Sequence, residues 1–272
     1  MFDYLAGSDV RSSLIEQQQR AREDFQEFAK NADIVKVLGL QNVSLDKYLW
    51  AYAIIHSRSI WWNGMRHLVP MLDLINCAEM NNSEGKIAAA HKTSLDEDNN
   101  AITKASITFG QGDQVFENYS QPNQILFLYH GFVIEENSQD CILVKSIGDH
   151  SNKGIEESEE NRQRLVKNGF RSFIPSVCIR DMPSLDSLAN LIRIKNKLPG
   201  DNLGLSMDTI HFVKEELLRR SRLYDDVGNR FETHGDLSYP MRAMRTIVRG
   251  EKQILEFLLN DIDAAIQRAS HQ

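Results

Sequence analysis

The chain has 272 residues, of which 42% are hydrophobic and 25% charged, with a formal net charge of −7. That composition belongs to a globular protein and excludes a disordered or fibrous chain, while the acidic balance argues against nucleic acid as a partner, because phosphate-backbone binding needs clustered Lys and Arg. No run reaches the roughly 20 apolar residues that cross a bilayer, and the N-terminus MFDYLAGSDV has neither a basic nor an apolar leader region, so a soluble cytoplasmic or nuclear protein with no membrane association is expected.

From Asp9 to about Ala32, the residues Val10, Leu14, Ala21, Phe25 and Phe28 recur at roughly helical spacing and predict a helix with one narrow apolar stripe. Ser44 is the expected N-cap of a second helix, Leu45 to Arg58, whose Tyr48, Ala51, Tyr52 and Ile55 fall at i, i+3, i+4 and i+7 and predict a core face. The period then changes. His67–Leu74 is a short apolar run containing Pro70, and Lys104–Phe109 and Asp113–Asn118 read as strands on either side of the turn Gly110-Gln111-Gly112. Pro122–His130, with Pro at its start and Gly131 beyond its end, predicts a short helix, and Cys141–Val144 a closing strand.

The stretch from Gly148 to Arg164 is polar and acid-rich with almost nothing to bury, which predicts a linker. Beyond it the pattern is helical over Ser184–Ile194, Ser206–Tyr224 and Met241–Ala269. The last of these carries an apolar stripe of Met244, Ile247, Val248, Ile254, Leu255, Leu258 and Ile262. The three cysteines, Cys77, Cys141 and Cys178, are widely spaced with no Cys-x-x-Cys pair, so reduced thiols and no zinc site are expected. The eight His residues form no two-ligand helical pattern, and no metal is expected.

Three segments stand out together: Ser57-Arg58 at the end of the second helix, Pro70-Met-Leu-Asp-Leu-Ile-Asn76, and Gly112-Asp-Gln-Val-Phe-Glu-Asn-Tyr119 followed by Gly131-Phe132. In that order and spacing they resemble the Rubisco large-subunit methyltransferase branch of the SET-domain protein methyltransferases. The run from Met241 through Arg245 to Leu255 is similar to the last helix of that branch's substrate-binding lobe, so the resemblance covers nearly the whole chain. It implies an α+β fold: a partial SET domain with a helical insert over 1–148, the acidic linker at 149–165, and an all-α substrate-binding lobe over 166–272.

The resemblance also implies a reaction, transfer of a methyl group from S-adenosylmethionine to a nitrogen of a protein substrate, usually a lysine. By that resemblance Tyr119 is the catalytic hydroxyl at the end of an apolar channel, and it meets the cofactor there with Asn76, Cys77 and Ser57. Arg58, Asp73, His130 and Phe132 face the substrate. Such residue types suit methyl transfer, because an in-line displacement gains much of its rate from alignment, and an apolar channel lowers the pKa of the amine that must lose its proton.

Taken one at a time, these residues have plainer readings. Asp73 and Asn76 suit turns or caps, Arg58 suits a helix C-terminus, and Tyr119 suits a strand edge. Three features depart from the family pattern. Cys77 stands where a His is usual, His130 stands where a Tyr is usual, and the strands with the cofactor-binding glycine turn that open the family's domain have no counterpart before Phe2. Three alternatives stay open on the sequence: a histidine target, a non-catalytic interaction module, and, least supported, a cysteine hydrolase built on Cys77.

Overall fold

Ser44 caps its helix as the sequence expects: its hydroxyl accepts the Lys47 amide hydrogen at 3.4 Å, and the helix runs Leu45–Arg58. The structure is a computed structural model and describes residues 2–40, 42–62, 65–80, 85, 88, 93–98, 100–144, 177–196, 205–233 and 235–270. The acidic stretch expected as a linker, 149–165, lies outside the described residues. The chain divides into two units, one made of Met1–Ser12 with Asp140–Gln272 and the other of Ser13–Gln139.

The second unit begins within α1, Val10–Lys30, which is followed by α2, Ala32–Val37, and α3, Leu45–Arg58. The first predicted helix thus ends at Lys30, where a break at Asn31 starts a separate short helix. No residue of α3 is buried, and Ile55 is 46% exposed, which corrects the expectation of a core face. Its Tyr48 packs instead against the Phe25 and Phe28 rings of α1, at 5.3 and 5.7 Å between centroids.

Short strands follow. β1 (Ser59–Trp62) pairs antiparallel with β2 (Met65–Leu68) in the register Ser59↔Leu68 to Trp62↔Met65. β3 (Asn76–Cys77) pairs parallel with β6 (Phe116–Glu117), and β4 (Thr93–Leu95) pairs antiparallel with β5 (Ala101–Thr103).

The strands expected at 104–109 and 113–118 are therefore corrected: the first is absent and the second shrinks to two residues. The ordered pairing lies earlier in the chain, at a hairpin turn where the Asp96 carboxylate accepts from the Asp98 and Asn100 amides at 3.0 and 2.7 Å. This pins β4 to β5 over the register Thr93↔Thr103 to Leu95↔Ala101. The expected turn at 110–112 is present, with the Gly110 amide donating to the Asp113 carboxylate at 2.8 Å. α4 (Asn123–Ile125) then widens into a π-turn, Leu126–His130, and Gly131 ends it at φ 76°, a left-handed conformation that glycine adopts without strain.

Among the described residues, the first unit holds most of the buried apolar side chains. β7 (Ile142–Val144) pairs antiparallel with β8 (Val177–Ile179) beside α5 (Met182–Asn196), α6 (Met207–Glu232) and α7 (Tyr239–Ser270). The predicted α7 stripe faces inward at Met244, Ile247, Val248, Leu255, Leu258 and Ile262. Cys141 and Cys178, expected as reduced thiols, are joined in a disulfide across this ladder with Cα atoms 5.4 Å apart. The antiparallel pairing brings together residues 37 apart in sequence, a closeness that spacing alone does not reveal.

A buried polar network fastens residues 7–9 to α6 and α7. The fully buried Arg220 donates to Glu216 at 2.8 Å, to the Gly7 carbonyl at 3.2 Å and to Asp9 at 3.3 Å. Glu251 accepts from the Ser8 hydroxyl at 2.9 Å and from the Tyr224 hydroxyl at 2.5 Å. Gly7 sits at φ 93°, and a Cβ there would lie 3.0 Å from Leu223 Cβ, so the chain passes at a point only glycine fits.

Candidate active site

All eight residues expected at the site lie in the second unit. α3 contributes Ser57 and Arg58 from its last turn, where the Ser59 amide closes the helix on the Ile55 carbonyl. After β2 the chain turns through Met71, at φ 74°, into a 3₁₀ turn, Leu72–Leu74. Arg58 donates to the Asp73 carbonyl and so ties this turn to the end of α3. The turn leaves the Ile75 carbonyl facing Tyr119, whose hydroxyl donates to it at 3.1 Å.

Around Tyr119 the rings converge. Its centroid lies 5.2 Å from that of His130 and 6.3 Å from that of Phe132, and His130 and Phe132 are 6.0 Å apart. The His130 Nδ1 lies 3.2 Å from the Ser57 carbonyl. Since a carbonyl can only accept, the hydrogen sits on Nδ1 and the Nε2 lone pair is left free to accept.

The structure therefore brings together Tyr119, His130, Phe132, Ser57, Arg58 and Asp73. Ser57 and Asp73 take part through their carbonyls, for the Ser57 hydroxyl turns back to Ile54 at 3.3 Å. Asn76 and Cys77 lie on β3 directly after Ile75, opposite Phe116 and Glu117. Asn76 is exposed and Cys77 half-buried.

Burial sets the titration of this cluster. Burial, aided by Glu117 and Cys77 and opposed by Arg58, pushes the Tyr119 phenol up to about 12, so it stays a neutral donor and acceptor at physiological pH. Burial likewise pushes the Cys77 thiol up to about 11, against the Tyr119 amide that donates to it. A thiol so raised is a poor nucleophile near neutrality, which removes support from a hydrolase built on Cys77. Burial lowers His130, with Arg58 adding to the effect and the Ser57 carbonyl opposing it. Burial raises Glu117.

Sequence reasoning missed four residues that shape the site. The Ile75 carbonyl orients Tyr119, and backbone groups leave no mark in a sequence. Asn118 is buried, donates to the Ala88 carbonyl at 2.9 Å and accepts the Ser120 amide at 2.8 Å. That i to i+2 pattern is an Asx turn, which Asn-Tyr-Ser could have suggested. Asn123 bonds Ile134 in both directions at 2.7 Å and so fixes the segment after Phe132. Glu117 is the fourth.

Comparison with solved structures gives the fold. A crystal structure of the SET domain of LSMT bound to lysine and AdoHcy superposes with a TM-score of 0.62 at 16% identity, covering 97% of this chain and 66% of that one. The fold is that of the Rubisco LSMT SET domain. Rubisco LSMT bound to sinefungin and monomethyllysine matches with a TM-score of 0.63 at 18% identity over 98% of this chain and 66% of that one. Rubisco LSMT bound to AdoMet matches at 0.59 and 16%, over 97% and 65%. The 272 residues thus span about 66% of the length of the LSMT chains they match. No protein-family model and no curated protein sequence matches the chain.

Proposed function

We propose that the chain is an S-adenosylmethionine-dependent protein methyltransferase acting on a side-chain nitrogen, with lysine as the first candidate target. The observation that carries this reading is the Tyr119 hydroxyl, pinned to the Ile75 carbonyl at 3.1 Å inside the ring cluster of His130 and Phe132, in a SET-type fold whose solved examples were captured with AdoMet, AdoHcy and lysine. Lysine specificity rests on those neighbours, and a histidine target of the same fold is separated from it by product analysis.

The donor set fits the cofactor at one end. Asn76 is an exposed amide with both donors and acceptors, paired with Phe116 on the strand that leads toward Tyr119, which suits an amino-acid carboxylate and ammonium. Cys77 at the neighbouring position offers backbone contacts, with its thiol protonated. The bound cofactor supplies an electrophilic methyl group.

The chain's own residues do the rest. The rings of Tyr119, His130 and Phe132 form an apolar wall that excludes water and disfavours a charged amine. The Tyr119 hydroxyl and the Ile75 carbonyl present oxygens at the point of transfer. Arg58, bound to the Asp73 carbonyl, fixes the two segments that frame the site.

Calorimetry with S-adenosylmethionine on the 272-residue chain tests this. Binding is expected, and Asn76→Ala is expected to weaken it about tenfold or more. Tyr119→Phe should keep binding while lowering methyl transfer by about tenfold to a hundredfold. Absence of binding in the parent chain would sink the proposal. It would instead favour a non-catalytic interaction module, a reading supported by Trp50, Met65, Met71 and Leu74, which are all at least 60% exposed in this unit.

A further inference from the structure

Tyr119 lies outside every regular element, since β6 ends at Glu117 and α4 begins at Asn123. The residues on either side of it supply a different hold. Asn118 is buried, and its side-chain amide donates to the Ala88 carbonyl at 2.9 Å and accepts the Ser120 amide hydrogen at 2.8 Å. A carbonyl can only accept and a backbone N–H can only donate, so this pair of bonds fixes which way round the Asn118 amide lies. Ala88 is itself buried and donates to the Met80 carbonyl at 2.6 Å, three residues beyond Cys77. The Asn118 side chain is thus anchored to the segment that continues from β3.

Ser120 has φ 49°, in the left-handed region that a residue with a Cβ enters only at a cost. The bond from its amide to Asn118 closes an Asx turn, which offers the backbone compensation for that conformation. Tyr119 is the residue this turn encloses. Its amide donates to the Cys77 thiol and its hydroxyl to the Ile75 carbonyl at 3.1 Å, while its ring lies 5.2 Å from that of His130 and 6.3 Å from that of Phe132. The hydroxyl is the Tyr119 atom farthest from the backbone, so a small rotation of the turn displaces it most.

Resting on the methyltransferase reading above, we propose that Asn118 is a positioning residue of this site: by holding Ser120 in its left-handed turn, it keeps the Tyr119 hydroxyl on the Ile75 carbonyl. In-line displacement depends on such alignment, so Asn118 acts on the reaction through Tyr119.

The test is NMR near neutral pH on the full 272-residue chain with labelled tyrosines, the Tyr119 signals being assigned by their loss in Tyr119→Phe. In the parent, ring currents from His130 and Phe132 should displace the Tyr119 signals from those of an exposed tyrosine. The Ser120 amide should exchange about tenfold or more slower than an unprotected one. Asn118→Ala should lose most of both effects, while Tyr48 and Tyr52 of α3, in the same unit, keep their signals and so report that it is folded. Asn118→Asp retains an acceptor for the Ser120 amide and should keep part of both. Unchanged Tyr119 signals in a folded Asn118→Ala would overturn the inference. So would an unprotected Ser120 amide in the parent, which decides even if neither variant folds. Calorimetry of the parent with S-adenosylmethionine runs in parallel. Tyr119 displaced by Asn118→Ala without cofactor binding in the parent removes the methyltransferase reading and leaves Asn118 positioning Tyr119, whereas cofactor binding with Tyr119 unmoved removes this inference alone.

Discussion

Protonating His130 costs more in the folded chain than in the unfolded one. Burial strips the water that would solvate the charge, and Arg58 brings a second cation, while the Ser57 carbonyl only partly opposes them. The Tyr119 and Phe132 rings complete its surroundings. The folded pKa therefore lies below the ordinary 6.5, and on acidification the unfolded chain takes up the proton first. The sign follows: this contribution is fully present above pH 6.5 and is lost as pH falls through 6.5 toward the folded value. His56 is lowered too, by burial and Arg66 with Asp24 opposing, so the parent alone does not isolate His130. Urea unfolding on both sides of pH 6.5 should show a smaller acid-side loss of stability for His130→Gln than for the parent. Equal losses would mean that His130 is solvated.

Elements show which signals a sequence carries. Ser44 and the run to Arg58 were legible because capping and helical period are local, and the α7 stripe was legible because seven apolar positions repeat the period. The same local reasoning overestimated the burial of α3, since periodicity names a face and not what covers it. The β3–β6 pair was not legible, because a two-residue parallel ladder joins segments about forty positions apart. Six of the eight expected site residues lie together, while Glu117 and Asn118 occupy motif positions to which the resemblance gives no role, and Asn123 lies outside the motifs. The β7–β8 disulfide was hidden for the same non-local reason. It also makes a measurable claim: closing 37 residues should stabilise the chain by about 4 kcal/mol on the chain-entropy argument. Cys178→Ser should lower the free energy of urea unfolding by that order, and adding a reductant to the parent should lower it similarly. No change in either would mean that the bridge does not form in solution.

At the scale of the whole molecule, the two units are held by different physics. In the unit of Met1–Ser12 and Asp140–Gln272, whole rows of Leu, Ile and Val side chains on α5, α6 and α7 are removed from water, and the Arg220, Glu216 and Asp9 charges are paired among them. Among the described residues, the unit of Ser13–Gln139 buries only Ala21, Ala88 and Leu126 of its apolar side chains, with Asn118, Asn123, Gln124 and Asn137 doing much of the remaining filling. Each fully buried large apolar side chain contributes about 1.5 to 3 kcal/mol, so the difference in apolar burial outweighs the hydrogen bonds that the second unit gains, at about 1 kcal/mol each.

The chain should therefore open in two steps, because the lower-stability unit can unfold locally while the other persists. Hydrogen exchange followed along a urea series should show the amides of α3 and of the site strands exchanging through an opening well below the global transition, and the central turns of α6 and α7 exchanging only with it. S-adenosylmethionine, if it binds as proposed, should raise protection selectively around 59–77 and 116–132, by an amount that grows with its concentration over its dissociation constant. A single cooperative transition with uniform protection would refute the two-step picture. Selective protection without a shift in the α6 and α7 amides would place the ligand in the less stable unit, where Tyr119 and Asn76 lie.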